Sequence, residues 1–211
     1  MQQKHNALLI LDFDHTLFNT TKFVEALKQS FKKNFNIDSD HFTNHRNQIK
    51  ECNSIIDIDN FVEAIMKEDN LDKEQLHNAI HHIIKTQAHT FIFLDVPDFL
   101  ERHKTNFDIL ISTHGDCELQ TEKITHSRLP DYVDHIISTK TKDDILNNYI
   151  KQYPNVYFID DKAKNIDDVK KSHPSVITYF LRRPDDMPYG NTQSTCDCAD
   201  KTITNLNFTI K

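Results

Sequence analysis

Leu8-Leu9-Ile10-Leu11-Asp12-Phe13-Asp14-His15-Thr16-Leu17 is the stretch on which the fold is read. Its apolar part, Ala7 to Leu11, is continuous rather than alternating. A strand with one wet face would alternate, so a continuous run suits a strand buried on both faces, as in a parallel sheet covered by helices. Two acids and a threonine follow at once. In open α/β sheets the carboxyl ends of the strands carry the ligands. Successive strand residues alternate in direction, so Asp12 and Asp14 can present their carboxylates to one site. A turn or a helix cap explains a single acid there better than two acids with Thr16.

Outward from this stretch, further apolar runs read as strands: Phe107 to Thr113, Asp134 to Thr139, Asn155 to Asp160 and Ser175 to Leu181. Helical patterns lie between them, over Cys117 to Leu129, Lys142 to Tyr153 and Asn165 to Ser172, and Pro97 suits the first turn of a helix running to about His103. Strands alternating with helices predict an α/β, Rossmann-like parallel sheet. Residues 18 to 90 read differently. Phe23, Leu27, Phe31 and Phe35 repeat every four positions behind a capping Asn19 or Thr20. Phe61, Val62, Ile65 and Met66 predict a second helix, and Leu76, Ile80, Ile83 and Ile84 a third. The expected organisation is a core of residues 1–17 and 91–211 with an all-helical cap domain over 18–90, Thr90 to Leu94 being the return linker. Arg182 to Asp200 reads as a polar surface loop. Ile203, Leu206, Phe208 and Ile210 fit a last strand or a terminal helix equally.

Composition narrows the function. A net charge of −7 argues against a phosphate-backbone binder, so nucleic acid is not the expected partner. No apolar run reaches the length of a membrane span, and Met1 to Asn6 lack the charge pattern of a signal peptide. Cys52, Cys117, Cys196 and Cys198 are too few and too scattered for a disulfide framework or a four-ligand zinc site, and read as reduced thiols of a cytoplasmic protein. Gly115 and Gly190 are the only glycines. A glycine-rich phosphate loop is therefore excluded, and phosphate chemistry must rest on side chains and a metal. His77 and His81 share a helix face, but thirteen histidines make chance pairs expected.

Three more strand ends carry polar groups. Ile109-Leu110-Ile111 ends in Ser112, Thr113, His114 and Gly115; by itself that reads equally as the cap of the next helix. Lys142 follows Ile136-Ile137-Ser138-Thr139 and opens a helical pattern. Val156 to Ile159 ends in Asp160 and Asp161, adjacent acids that repel unless a cation compensates. In a parallel sheet all four ends lie on one edge.

The order acid pair, hydroxyl, lysine, acid pair resembles the haloacid dehalogenase (HAD) superfamily, over residues 6 to 17 and 91 to 181, with the helical insertion where many members carry a cap. The resemblance implies a magnesium-dependent phosphatase acting on a small phosphorylated metabolite. In it Asp12 is the nucleophile that forms an aspartyl-phosphate. Asp14 protonates the leaving oxygen and then activates water. Thr113 donates to the phosphoryl group and Lys142 neutralises it, with Ser112 and Lys140 as the neighbouring alternatives. Magnesium is held by Asp12, the backbone carbonyl of Asp14, and Asp161, with Asp160 a further ligand or directly behind one. His15 stands where many members have glycine, which argues that this backbone position does not need φ > 0. His114 stands where many have Asn. Dehalogenases of the same superfamily use the first acid without needing the second, so Asp14 favours phosphate. A binding protein on a retired enzyme scaffold is the third reading. Arg46 of the cap reads as a solvated side chain.

Overall fold

The computed structural model describes residues 4–53, 58–69, 71–139, 143–186 and 195–210. Five of the strands follow the apolar runs: β1 (Ala7–Leu11), β2 (Asp108–His114), β3 (His135–Thr139), β4 (Asn155–Asp160) and β5 (Ile177–Leu181); a short β6 (Lys201–Ile203) closes the series. They form one sheet in the order β3-β2-β1-β4-β5-β6. Every pairing is parallel, from Leu11 opposite Ile111 on one side of β1 to Leu11 opposite Ile159 on the other. This is the Rossmann-like α/β sheet. The chain winds outward from β1 in one direction and returns to its other side at β4. The crevice between the carboxyl ends of β1 and β4 is therefore the topological switch point, where such sheets bind ligands.

Burial explains the unbroken hydrophobicity of β1. Leu9 and Leu11 enter one apolar cluster and Leu8 and Ile10 another, all four fully buried, so each face of the strand has its own core. The helices covering the sheet are α5 (Val96–His103), α6 (Cys117–His126), α7 (Asp143–Ile150) and α8 (Ala163–Ser172).

Between β1 and β2 the chain makes an all-helical insertion of α1 (Thr20–Phe35), α2 (Ser39–Asn53), α3 (Ile58–Asp69) and α4 (Lys73–Gln87), closed by a 3₁₀ turn at Ala88–Phe91. Asn19 caps α1, its side chain accepting from the Lys22 amide at 2.8 Å. Thr20 is thereby released for another partner. The helix α2 is a correction to the three expected. Among its described side chains the buried ones are Phe42, His45 and Ile49, and the polar His45 breaks the apolar stripe that the other helices show. The two chain crossings lie side by side. Phe18 bridges Ile92, the Asn19 amide donates to the Phe91 carbonyl at 2.7 Å, and the Phe93 amide to the Leu17 carbonyl at 3.1 Å. The insertion shares its apolar cluster with one face of the sheet. Phe18 sits at the join, its ring centroid 5.0 Å from that of Phe13 and 5.6 Å from those of Phe23 and Phe91.

Two further corrections come from tertiary contacts. The expected surface loop after β5 is anchored at its start. Arg183 is buried, bonded to both oxygens of Asp95 at 3.0 Å and to the Thr16 carbonyl at 2.9 Å, with its guanidinium over the Phe93 ring. Asp186 is buried as well. The end of the chain takes neither expected form as a whole. After the short β6 it runs irregularly and buries Leu206 and Ile210 in the core. Among the described residues no helix is long and apolar enough to cross a membrane.

Candidate active site

Asp12, immediately after β1, and Asp160 and Asp161, at the end of β4, meet at the switch point. All three are buried, and one carboxylate oxygen from each lies within 4.8 Å of the other two. Three carboxylates so close are costly unless a cation offsets them. Oxygen-only donors suit a hard ion such as magnesium, so the residues present fit that group. Asp160 is fixed by its own loop: it accepts from the Lys162 amide and from Asn165 Nδ2, each at 2.8 Å. Those bonds aim it at the cluster and occupy part of its acceptor capacity. Lys162 answers the negative charge. Burial pulls its amine down, but Asp12, Asp161, Asp160 and Asp14 outweigh that and leave its pKa raised.

Asp14 turns its side chain elsewhere. It accepts from Thr20 Oγ1, Gln120 Nε2 and Lys123 Nζ, each at 2.5 Å. Burial alone would push its carboxyl up. The Lys123 charge and hydrogen bonds from Lys123, Thr20 and Gln120 prevail and hold it well below the usual carboxylate range. Lys123 is itself buried, with its ammonium 4.7 Å from the Phe18 ring centroid and 5.1 Å from that of Phe13. Of the expected metal-site acids, Asp14 alone keeps its carboxylate outside the cluster.

Thr113 is buried and accepts from Gln120 Nε2 at 2.8 Å, which ties it to Asp14 through one amide. The cap of α6 is supplied instead by Asp116, whose Oδ1 accepts from the Glu118 and Leu119 amides. The hydroxyl at the end of β2 is thus not spent on capping. Ser112 points the other way along the strand, and its Oγ has no hydrogen-bond partner among the described residues. Lys142 and Lys140 lie outside the described residues.

His15 corrects the reading of its backbone. Its φ is +62°, the left-handed region, where His is among the more frequent non-glycine residues. The turn is held by the His15 amide, which donates to the Phe18 carbonyl at 2.8 Å, and by Nδ1, 2.9 Å from Asp186 Oδ2. Thr21 donates to the other oxygen of Asp186. Histidine is kept here by tertiary contacts that glycine could not make.

Gln120 and Lys123 were not singled out from the sequence, although a signal existed. Gln120, Lys123, Ile124 and Ser127 form a helix-period stripe, all buried, and two long polar side chains on such a face need partners in a site. Arg46 is also corrected. It lines a cavity of about 230 Å³ between insertion and sheet, shared with Asp14, Gln120, Lys123 and Lys162. The histidine pair of α4 goes to separate acids, His77 to Asp59 at 3.1 Å and His81 to Glu122 of α6 at 2.5 Å.

No protein-family model matches the chain, and no curated protein does. Solved structures do. A Burkholderia xenovorans LB400 protein described as a haloacid dehalogenase-like hydrolase superposes with a TM-score of 0.76 at 19% identity, over 96% of each chain. YfnB of Bacillus subtilis, described as a HAD hydrolase bound to magnesium, gives 0.63 at 15%, over 97% of this chain and 96% of its own. A Clostridium difficile protein described as a phosphatase gives 0.58 at 11%, with the same coverages. Haloacid dehalogenases are among the other similar structures. The class that these matches define is the HAD-like hydrolase fold, and this chain has it over nearly its whole length.

Proposed function

We propose that the protein is a magnesium-dependent phosphatase that hydrolyses small phosphate monoesters through an aspartyl-phosphate on Asp12. The observation that carries this reading is the buried cluster of Asp12, Asp160 and Asp161. Displacing halide from carbon does not bring a dianion up to a carboxylate, whereas phosphoryl transfer does, and it needs positive charge at the meeting point. Asp12, Asp160, Asp161 and the Asp14 carbonyl would hold the ion, which supplies charge neutralisation between two anions.

The chain's own groups do the rest. An oxygen of Asp12 attacks phosphorus and the ester P–O bond breaks. The leaving oxygen takes a proton from Asp14. Water then attacks the aspartyl-phosphate, giving its proton to Asp14, and inorganic phosphate leaves Asp12 regenerated. With Lys123 attached, Asp14 is held as the carboxylate, the form needed for the second half. The first half needs it protonated, so the arriving phosphoryl group must draw Lys123 away. Thr113 and Lys142 position and neutralise the phosphoryl oxygens, assisted by Lys162. The helical insertion acts as a cap that excludes water and restricts substrates to small esters.

The test is phosphate release from a panel of small monoesters, in magnesium and in EDTA, alongside halide release from 2-haloacids. Phosphate release that stops in EDTA, returns with magnesium and is lost in Asp12→Asn is the expected result. Halide release without phosphate release would establish the dehalogenase reading, and neither activity would favour a binding role.

A further inference from the structure

The cavity above Asp14 has two kinds of wall. From the insertion come Phe23, Leu27, Phe42 and Phe61, and from the sheet side come polar groups. The rings of Phe42 and Phe61 meet edge to face at 4.9 Å, giving a firm aromatic surface. Arg46 stands one helical turn after Phe42 on α2 and points into the same space.

The charges lining this cavity are otherwise committed. Lys123 is bound to Asp14, and Lys162 answers the acid cluster. Asp116 is occupied by the amides of α6 and by the Ile58 amide at 3.3 Å. Arg46 differs: among the described residues no hydrogen bond or ion pair holds its guanidinium. Burial acts against its charge, and Asp14 is the charge that acts to keep it. A partly buried guanidinium with five donors and no fixed acceptor is a receptor for an anion.

Resting on the phosphatase reading, we propose that Arg46 selects the substrate: the preferred ester has a compact apolar leaving group, seated on Phe42 and Phe61, that carries a second anionic group bound by Arg46. With the phosphoryl group at Asp12 and the ester oxygen at Asp14, the leaving group has this cavity to occupy. The apolar wall accepts its body, and Arg46 accepts the charge at its far end. A neutral leaving group leaves the guanidinium unpaired in a partly dry site, which is costly.

The test compares para-(carboxymethyl)phenyl phosphate with para-tolyl phosphate, whose leaving phenols are of similar acidity, using the magnesium-loaded protein. Wild type should prefer the carboxylate ester in kcat/KM by about tenfold to a hundredfold, the range of one charge-assisted hydrogen-bonded pair. In Arg46→Met the ratio should fall to about one, and Arg46→Lys should retain part of it. A circular dichroism spectrum equal to wild type establishes that each variant is folded. If wild type cleaves both esters without preference, or if the preference survives in folded Arg46→Met, the inference is overturned while the phosphatase reading stands. If Arg46→Met changes the pH profile but not the ratio, Arg46 balances Asp14 rather than the substrate, and the inference is again overturned. If neither ester nor any panel monoester releases phosphate, the phosphatase reading falls and takes this inference with it.

Discussion

At the scale of single residues, Asp14 carries the most information, because three donors favour its charged form. Removing the cation should be visible in the pH dependence. In Lys123→Met the Asp14 carboxyl loses the charge that holds it down, burial dominates, and its pKa rises. The alkaline limb of kcat/KM, where the leaving-group step runs out of protonated Asp14, should therefore move to higher pH than in wild type. An unmoved alkaline limb in a folded, active variant would separate Lys123 from Asp14 in function. The linked stability has the matching sign. A depressed folded pKa stabilises above the unfolded value of about 3.9 and is lost as pH falls through the folded value. Asp14→Asn tests the proton itself. It should slow esters with poor leaving groups by about 10²–10⁴-fold, and activated aryl phosphates by less, since their leaving oxygen needs less protonation. Steady-state rates on a leaving-group series measure this, and equal losses along the series would count against the assignment.

At the scale of elements, two buried contacts fasten the chain around the site. Arg183 joins the turn after β1, through Thr16, to the segment entering α5, through Asp95, and Asp95 also accepts the Leu206 amide at 2.7 Å. Arg183→Met leaves the mostly buried Asp95 carboxylate, 10% exposed, without its cation and should cost about 3–5 kcal/mol in urea unfolding; a loss below about 1 kcal/mol would mean that the pair is incidental. The end of the chain is held by His103. Its Nε2 accepts the Ile210 amide at 2.9 Å, and its Nδ1 lies 2.7 Å from the Phe99 carbonyl, an arrangement that requires the neutral ring. Burial pushes its pKa below the ordinary 6.5, which the Phe99 carbonyl opposes only in part. The unfolded chain thus takes up the proton first as pH falls below 6.5, so this contribution is complete above 6.5 and declines beneath it. Urea midpoints measured at neutral and mildly acid pH should fall further for wild type than for His103→Gln. Parallel pH profiles would refute the contribution.

At the scale of the whole molecule, the insertion and the sheet share an apolar cluster yet enclose the cavity between them. Thr20, on one crossing, donates to Asp14, so the position of the helical lobe is linked to the Asp14 carboxylate. If closure of this lobe accompanies turnover, a phosphate mimic added with magnesium should reduce proteolytic nicking at Phe18 to Thr20 and at Thr90 to Leu94, and magnesium alone should protect less. Unchanged cleavage at both crossings, where cleavage is measurable, would show that the lobe does not close on the ligand. The same roof predicts a bias toward small esters over folded phosphoproteins.

Much of this architecture was legible in the chain itself, because it depends on local signals. Ala7 to Leu11 and Asn155 to Asp160 are continuous apolar runs whose carboxyl ends carry acids, and both are strands with those bounds. Their parallel pairing follows from the helices that separate them, and the acids Asp12, Asp160 and Asp161 meet because parallel strands end on one edge. What depended on distant partners was not legible. A left-handed His15 needs Asp186, 171 residues away, to hold its ring. Arg183 and Asp186 look like loop residues until Asp95 and Thr21 reach them. Helix α2 hides its buried face behind His45, and Gln120 and Lys123 count as ordinary polar positions until the fold sets them against Asp14. Periodicity reports whether a side chain is buried. Which charge it then meets is decided by non-local contacts that only the folded chain makes.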